Sequence, residues 1–201
     1  MSLQPQIVRL VIPDTGVLIS LAHGNLLEIL LDFADTVDLV ITDVVEFEAT
    51  KKAEQPDAQR IASFLGKHAG RITVEATSFH EYLKAARENP GTPRIPNIGE
   101  LSIYGFINQV RSEEGGVPTL VLFEDNWFVR NQSHRPTSTH LVSLCAFLKL
   151  VAQRVPDFSY KQAIEAIRRT RPGVNLIEFD DPGKNDSTKT RTTWKAAYAQ
   201  R

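Results

Sequence analysis

Ile7-Val8-Arg9-Leu10-Val11-Ile12-Pro13-Asp14 opens as an apolar, β-branched run and closes on a carboxylate. A run of this kind reads as a strand buried on both faces, which is the habit of parallel sheets covered by helices. Outward from it the same grammar recurs. Val37 to Ile41 reads as a second strand, with a helix beginning near Val44. Pro56 starts another helix carrying Ile61, Phe64 and Leu65 at helical spacing, and Arg71-Ile72-Thr73-Val74 is a short strand with Ser78 as the expected cap of the helix that follows. Asn89 to Pro96 holds three prolines and a glycine and reads as a loop. Asn97 to Val110 is helical, Gly115-Gly116 breaks that helix, and Thr119 to Phe123 is again a strand. Helices are expected from Asn25 through Phe33, from Thr139 through Leu150 and from Ser159 through Arg169. Strands separated by helices predict an α/β domain with a central parallel sheet, whose ligand sites lie beyond the carboxyl ends of the strands.

Those ends carry acids. Asp14 follows the first strand, Asp43, Glu46 and Glu48 the second, and Glu124 and Asp125 the Thr119 strand. One such acid is commonly a helix cap. Three strands delivering carboxylates to one sheet edge point instead to a hard cation, Mg²⁺ or Mn²⁺. Asp43 and Glu46 stand in a capping-box arrangement, which explains both without a site. Glu48 has no such explanation, because it shares the inward stripe of Val44 and Val45, and a carboxylate on a buried stripe needs a partner. Glu100 is ambiguous at this stage. It could close a capping box with Asn97, yet it lies on the apolar face of Ile103, Ile107 and Val110.

Composition narrows the alternatives. The chain has 201 residues, 42% of them hydrophobic, enough for one core with an extension. The formal net charge of -1 gives no bulk attraction for nucleic acid, so any such attraction must be local. Cys145 is the only cysteine, which excludes an internal disulfide and a cysteine-built zinc cluster and fits a reducing cytoplasm. No signal peptide is expected from Met1 to Asp14, and no run reaches the roughly 18 apolar residues of a membrane helix. Neither a Gly-x-Ser-x-Gly elbow, around Ser20 or Ser102, nor a phosphate loop is present. His23, His68, His80, His134 and His140 show no metal-ligand spacing and are expected at the surface or in loops. Trp127 and Phe128 read as packing residues.

Val11-Ile12-Pro13-Asp14-Thr15-Gly16 resembles the opening signature of the PIN-domain family of metal-dependent ribonucleases. Ile41-Thr42-Asp43-Val44-Val45-Glu46-Phe47-Glu48-Ala49, Ile98-Gly99-Glu100-Leu101-Ser102 and Leu120-Val121-Leu122-Phe123-Glu124-Asp125 resemble the second, third and fourth motifs, across roughly residues 7 to 150. The resemblance implies a three-layer α/β/α PIN-like fold and a Mg²⁺- or Mn²⁺-dependent endoribonuclease acting on single-stranded RNA. It further implies Asp14, Glu48, Glu100 and Asp125 as metal ligands, with Thr15 as a polar helper. Glu124 remains an alternative to Asp125, and Gly16 stands where a hydroxyl residue is often found. A haloacid-dehalogenase-type phosphatase is the enzymatic rival, but Gly16 occupies the place of its second Asp. The other rival is a non-catalytic PIN-like module that binds RNA or protein.

The expected organisation is a nuclease domain over residues 1–155, a C-terminal helical extension over 156–181 and an exposed basic tail over 182–201. That extension makes the chain longer than compact PIN-type toxins related to the VapC proteins. A toxin's role, an antitoxin partner and a homodimer all stay open. Arg168-Arg169-Thr170-Arg171 and the tail residues Lys184, Lys189, Arg191, Lys195 and Arg201 are the candidates for attracting an RNA backbone, single-stranded or structured.

Overall fold

The computed structural model describes residues 10–34, 37–114, 117–174 and 176–181; residues 7–9 of the first expected strand, the Gly115-Gly116 break and the basic tail lie outside them. The sheet comprises β1 (Leu10–Pro13), β2 (Asp38–Thr42), β3 (Ile72–Glu75), β4 (Thr119–Phe123), β5 (Thr139–Ser143) and the two-residue β6 (Asp180–Asp181). Its order is β3-β2-β1-β4-β5-β6, with the first five strands parallel and β6 antiparallel to β5. The helices are α1 (Thr15–Gly24), α2 (Leu31–Ala34), α3 (Asp43–Thr50), α4 (Pro56–Lys67), α5 (His80–Glu88), α6 (Ile98–Glu114), α7 (Trp127–Arg130), α8 (Leu144–Arg154) and α9 (Tyr160–Thr170). Helices thus flank a central parallel sheet, the three-layer α/β/α architecture. β1, β4 and β5 are buried along their whole length, as continuous apolar strands under helices must be, while β3 at the edge exposes Thr73 and Val74.

The structure corrects four local readings. Asn25 closes α1 in the left-handed region (φ 56°), its N–H returning to Ala22 and Leu21 carbonyls, and the helical stretch expected from it begins at Leu27, as a 3₁₀ turn over Leu27–Leu30 that runs on into α2. Thr139 to Ser143 is a strand, and the helix starts only after Ser143, whose hydroxyl accepts from the Ala146 N–H. Ser78 caps nothing in α5; Thr77 makes that turn, its hydroxyl accepting from Phe79 N–H at 3.3 Å and its carbonyl from His80 N–H at 3.1 Å. Finally, α3 is capped by Thr42, which accepts from Val45 N–H at 3.3 Å, so Asp43 and Glu46 do not form its capping box.

The chain beyond residue 155 is built into the same core. Ala163, Ile164 and Ile167 of α9 are buried among the apolar residues of the sheet and α1, and Thr170 Oγ1 donates to the His23 carbonyl at 3.2 Å. Ser159 caps α9 by accepting from Gln162 N–H. β6 then returns to the sheet edge, where Asp180 Oδ1 meets Nε2 of His140 at 2.7 Å. His140 is therefore a fully buried strand residue and not a surface one. Phe128 is fully buried and Trp127 half-buried, in edge-on and tilted contact with the Tyr104 ring, as packing residues are. No helix among the described residues is long and apolar enough to cross a membrane.

Candidate active site

From β1 the chain crosses to β2 on one side, and β4 lies on the other, so the strand order reverses between β1 and β4. At such a reversal the connections diverge and leave a crevice beyond the strand ends. Here that crevice is a cleft of about 530 Å³ lined by Asp14, Thr15, Gly16, Glu48, Gly99, Glu100, Glu124, Asp125, Asn126, Arg130 and Arg171, among others. All five residues expected at the site are present in it, delivered by β1 and α1, by α3, by α6 and by the end of β4.

Asp14 is the most tightly held. It is 5% exposed and serves as the cap of α1, one oxygen accepting from Val17 N–H at 2.7 Å and the other from Glu124 N–H at 3.0 Å. Burial pushes its pKa up to about 7; the two N–H donors offset only part of this, and the charges of Glu124 and Glu100 add to it. Glu48 lies one turn along α3 from the fully buried Val44 and Val45, and its Oε2 accepts from Thr15 Oγ1 at 3.0 Å. Gly99 explains how α6 comes so near: a Cβ there would stand 2.6 Å from that same Oε2 and 3.5 Å from Thr15 Oγ1. Glu100, in the first turn of α6, is half-buried, and its carboxyl is raised by burial first, with Glu48 and Asp125 adding repulsion. Asn97 before it is left-handed (φ 55°), unlike the extended backbone of a side-chain cap, which favours the cleft over the capping box for Glu100.

The two acids after β4 divide their roles. Glu124 is held by Ser20 Oγ and by the Arg171 guanidinium, which also contacts the Ser20 hydroxyl and, at 3.4 Å, the Gly16 carbonyl. Burial raises the Glu124 carboxyl, while Ser20 and Arg171 pull it back down. Asp125 is exposed in the cleft, with one oxygen accepting from Trp127 N–H at 2.7 Å. Asp125 is thus the freer acid. Gly16 also gains a reason, since a Cβ at that position would lie 3.1 Å from Glu124 Cβ. Asp43 is elsewhere, buried where it accepts from Thr77 N–H at 3.2 Å and Thr77 Oγ1 at 2.8 Å and meets His80 Nδ1 at 3.3 Å. It ties α3 to the loop before α5.

Sequence reasoning missed Ser20, Arg130 and the pairing of Arg171 with Glu124. Only Ser20 left a trace, as a lone hydroxyl inside the apolar run Val17-Leu18-Ile19-Ser20-Leu21. As a donor set, Asp14, Glu48, Glu100 and Asp125 are hard oxygen ligands with mutual repulsion at two of them, which suits Mg²⁺ or Mn²⁺. Yet among the described residues no group of three or more His, Cys, Asp or Glu is arranged to hold a metal ion. Asp14, Glu48 and Asp125 each accept a hydrogen bond from a protein donor. No protein-family model matches the chain, and neither a curated protein nor a solved structure is detectably similar to it.

Proposed function

We propose that this protein is a Mg²⁺- or Mn²⁺-dependent endoribonuclease that hydrolyses phosphodiester bonds in single-stranded RNA in the cytoplasm. One observation carries the reading: Asp14, Glu48, Glu100 and Asp125, from four separate segments, line a single cleft at the strand-order reversal with Thr15 among them. These acids share the cleft although burial there, and then their mutual charge, raises Asp14 and Glu100. A bound divalent cation would supply an acidified water and offset charge at the phosphorus. The chain supplies the scaffold for that chemistry. Asp14 is immobilised by two backbone donors, Thr15 orients Glu48, and Gly99 keeps the space between α3 and α6 open. Asp125 is the exposed one of the four.

A second reading, a non-catalytic PIN-like module for RNA or protein, is favoured by the hydrogen bonds that already occupy Asp14, Glu48 and Asp125. Cleavage of a fluorogenic single-stranded RNA, with Mn²⁺ and with excess chelator, separates the two. The nuclease reading expects Mn²⁺-dependent cleavage abolished by chelator and by Asp125→Asn. Cleavage that survives Asp125→Asn is a contaminant's, and no cleavage at all returns the protein to the binding-module reading. The toxin role and an antitoxin partner follow only if cleavage is found.

A further inference from the structure

The cleft poses an electrostatic difficulty for a nuclease. Five carboxylates face a ligand whose backbone carries one negative charge per nucleotide, so some cation of the chain must meet that backbone. Two guanidiniums line the same cleft, and neither belongs to the acidic motifs: Arg130 at the end of α7 and Arg171 just after α9. Arg171 is fastened through a single nitrogen, NH1, to Glu124, Ser20 and the Gly16 carbonyl. A guanidinium has five N–H donors in a planar fork, so the donors on Nε and NH2 have no protein acceptor among the described residues. Arg130 is exposed, and its guanidinium has no hydrogen-bond or ion-pair partner among them. An anchored fork with donors to spare and an exposed one on another helix suit bidentate binding of phosphate oxygens better than lysines would.

We propose that Arg130 and Arg171 form a two-point clamp for the backbone phosphates of an RNA strand laid across the acidic cleft, a proposal that rests on the ribonuclease reading. Glu124 is then the anchor of Arg171 and not a fifth cation ligand, which is why β4 ends in two acids. The α9 extension gains a purpose as well, since it carries one half of the clamp. The adjacent Arg168 lies by Tyr160 and not in the cleft, so the basic run Arg168 to Arg171 acts through its last residue alone.

The test is equilibrium binding of a fluorescent single-stranded RNA to the full-length Asp125→Asn protein in Mg²⁺, with salt varied and the RNA checked for integrity. Arg130→Gln should flatten the plot of log K against log salt by about 0.7, the counterion share of one single-strand phosphate contact, and weaken binding roughly fourfold at about 0.15 M salt. The double change Arg171→Gln with Glu124→Gln should do the same, without leaving a buried carboxylate unpaired. Arg171→Lys should keep the slope, and Arg168→Gln should change neither slope nor affinity. An unchanged slope in both the Arg130 and the double variant overturns the clamp, and so does an equal effect from Arg168→Gln. If the Asp125→Asn protein binds no RNA while the wild type cleaves it, the clamp fails and the nuclease survives. If the wild type neither binds nor cleaves RNA, both fall.

Discussion

Replacing Asp14 by Asn should stabilise the metal-free protein at pH 8 and lose that advantage at pH 5. Folding lifts the carboxyl from 3.8 to about 7, so the native state holds a proton that the unfolded chain has released between those values. Stability from this group is fully present below about pH 4, declines as pH rises through the window, and is gone above about pH 7. The shift of about 3 units corresponds to roughly 4 kcal/mol lost at pH 8, at about 1.36 kcal/mol per unit. Asn removes that loss and keeps the cap on Val17 N–H, but its amide cannot accept from Glu124 N–H, which costs about 1–3 kcal/mol. The net at pH 8 is a gain of about 1–3 kcal/mol. At pH 5 the wild-type carboxyl is already protonated in the fold, and the advantage shrinks by about 3 kcal/mol whatever the hydrogen bond is worth. For a domain of this size that is a change of roughly 6–12 °C in the difference of melting temperatures. Thermal unfolding of both proteins with chelator from pH 5 to 8 reads it directly. Parallel pH profiles would refute the account of Asp14 as a buried acid in a crowd of acids. Saturating Mg²⁺ should reverse the order at pH 8, because only the wild type keeps the full set of ligands.

Further outcomes follow from the same geometry. Gly99→Ala should keep wild-type stability, since the clashing atom is the end of a flexible side chain, yet lower Mn²⁺-dependent cleavage at least tenfold by displacing Glu48 from Thr15. Glu48→Gln should abolish cleavage with the fold intact, while Glu46→Gln should leave both cleavage and melting nearly unchanged, because Thr42 and not Glu46 caps that helix. Equal losses from the two would show that the register of α3 toward the cleft is misread. Asp43→Ala should behave in the opposite sense, costing about 1–3 kcal/mol in denaturant unfolding by leaving the Thr77 N–H and hydroxyl without their acceptor, while cleavage persists in the folded fraction.

Much of this fold is written in local pattern. β4 begins and ends where its apolar run does, Pro56 starts α4, and Ser159 caps α9, because each boundary is a chemical change within a few residues. Two of the failures, at α1 and at β5, share one cause, burial on every side. α1 carries Val17, Leu18, Leu21 and Ala22 fully buried between the sheet, α4 and α9, so no polar face marks its period. β5 runs straight into α8, its last residue Ser143 serving as the cap, and a continuous apolar stretch hides the change of period. Asp14 and Asp125 could be placed because strand ends are legible, and Glu48 and Glu100 because they fall on the apolar stripes of α3 and α6. Arg171 beside Glu124 could not be, since the pair spans 47 residues and no local signal fixes where α9 comes to rest.

The register of β1 against β4, Leu10 beside Thr119, has a consequence for biosynthesis. Asp14 emerges from the ribosome early, but its neighbouring strand and Asp125 follow only after more than a hundred further residues have been added. A pairing this distant in sequence forms late, once both partners are free to meet. Arg171 comes later still. A nascent chain therefore lacks the cleft until β4 and the residues just after α9 have both been made.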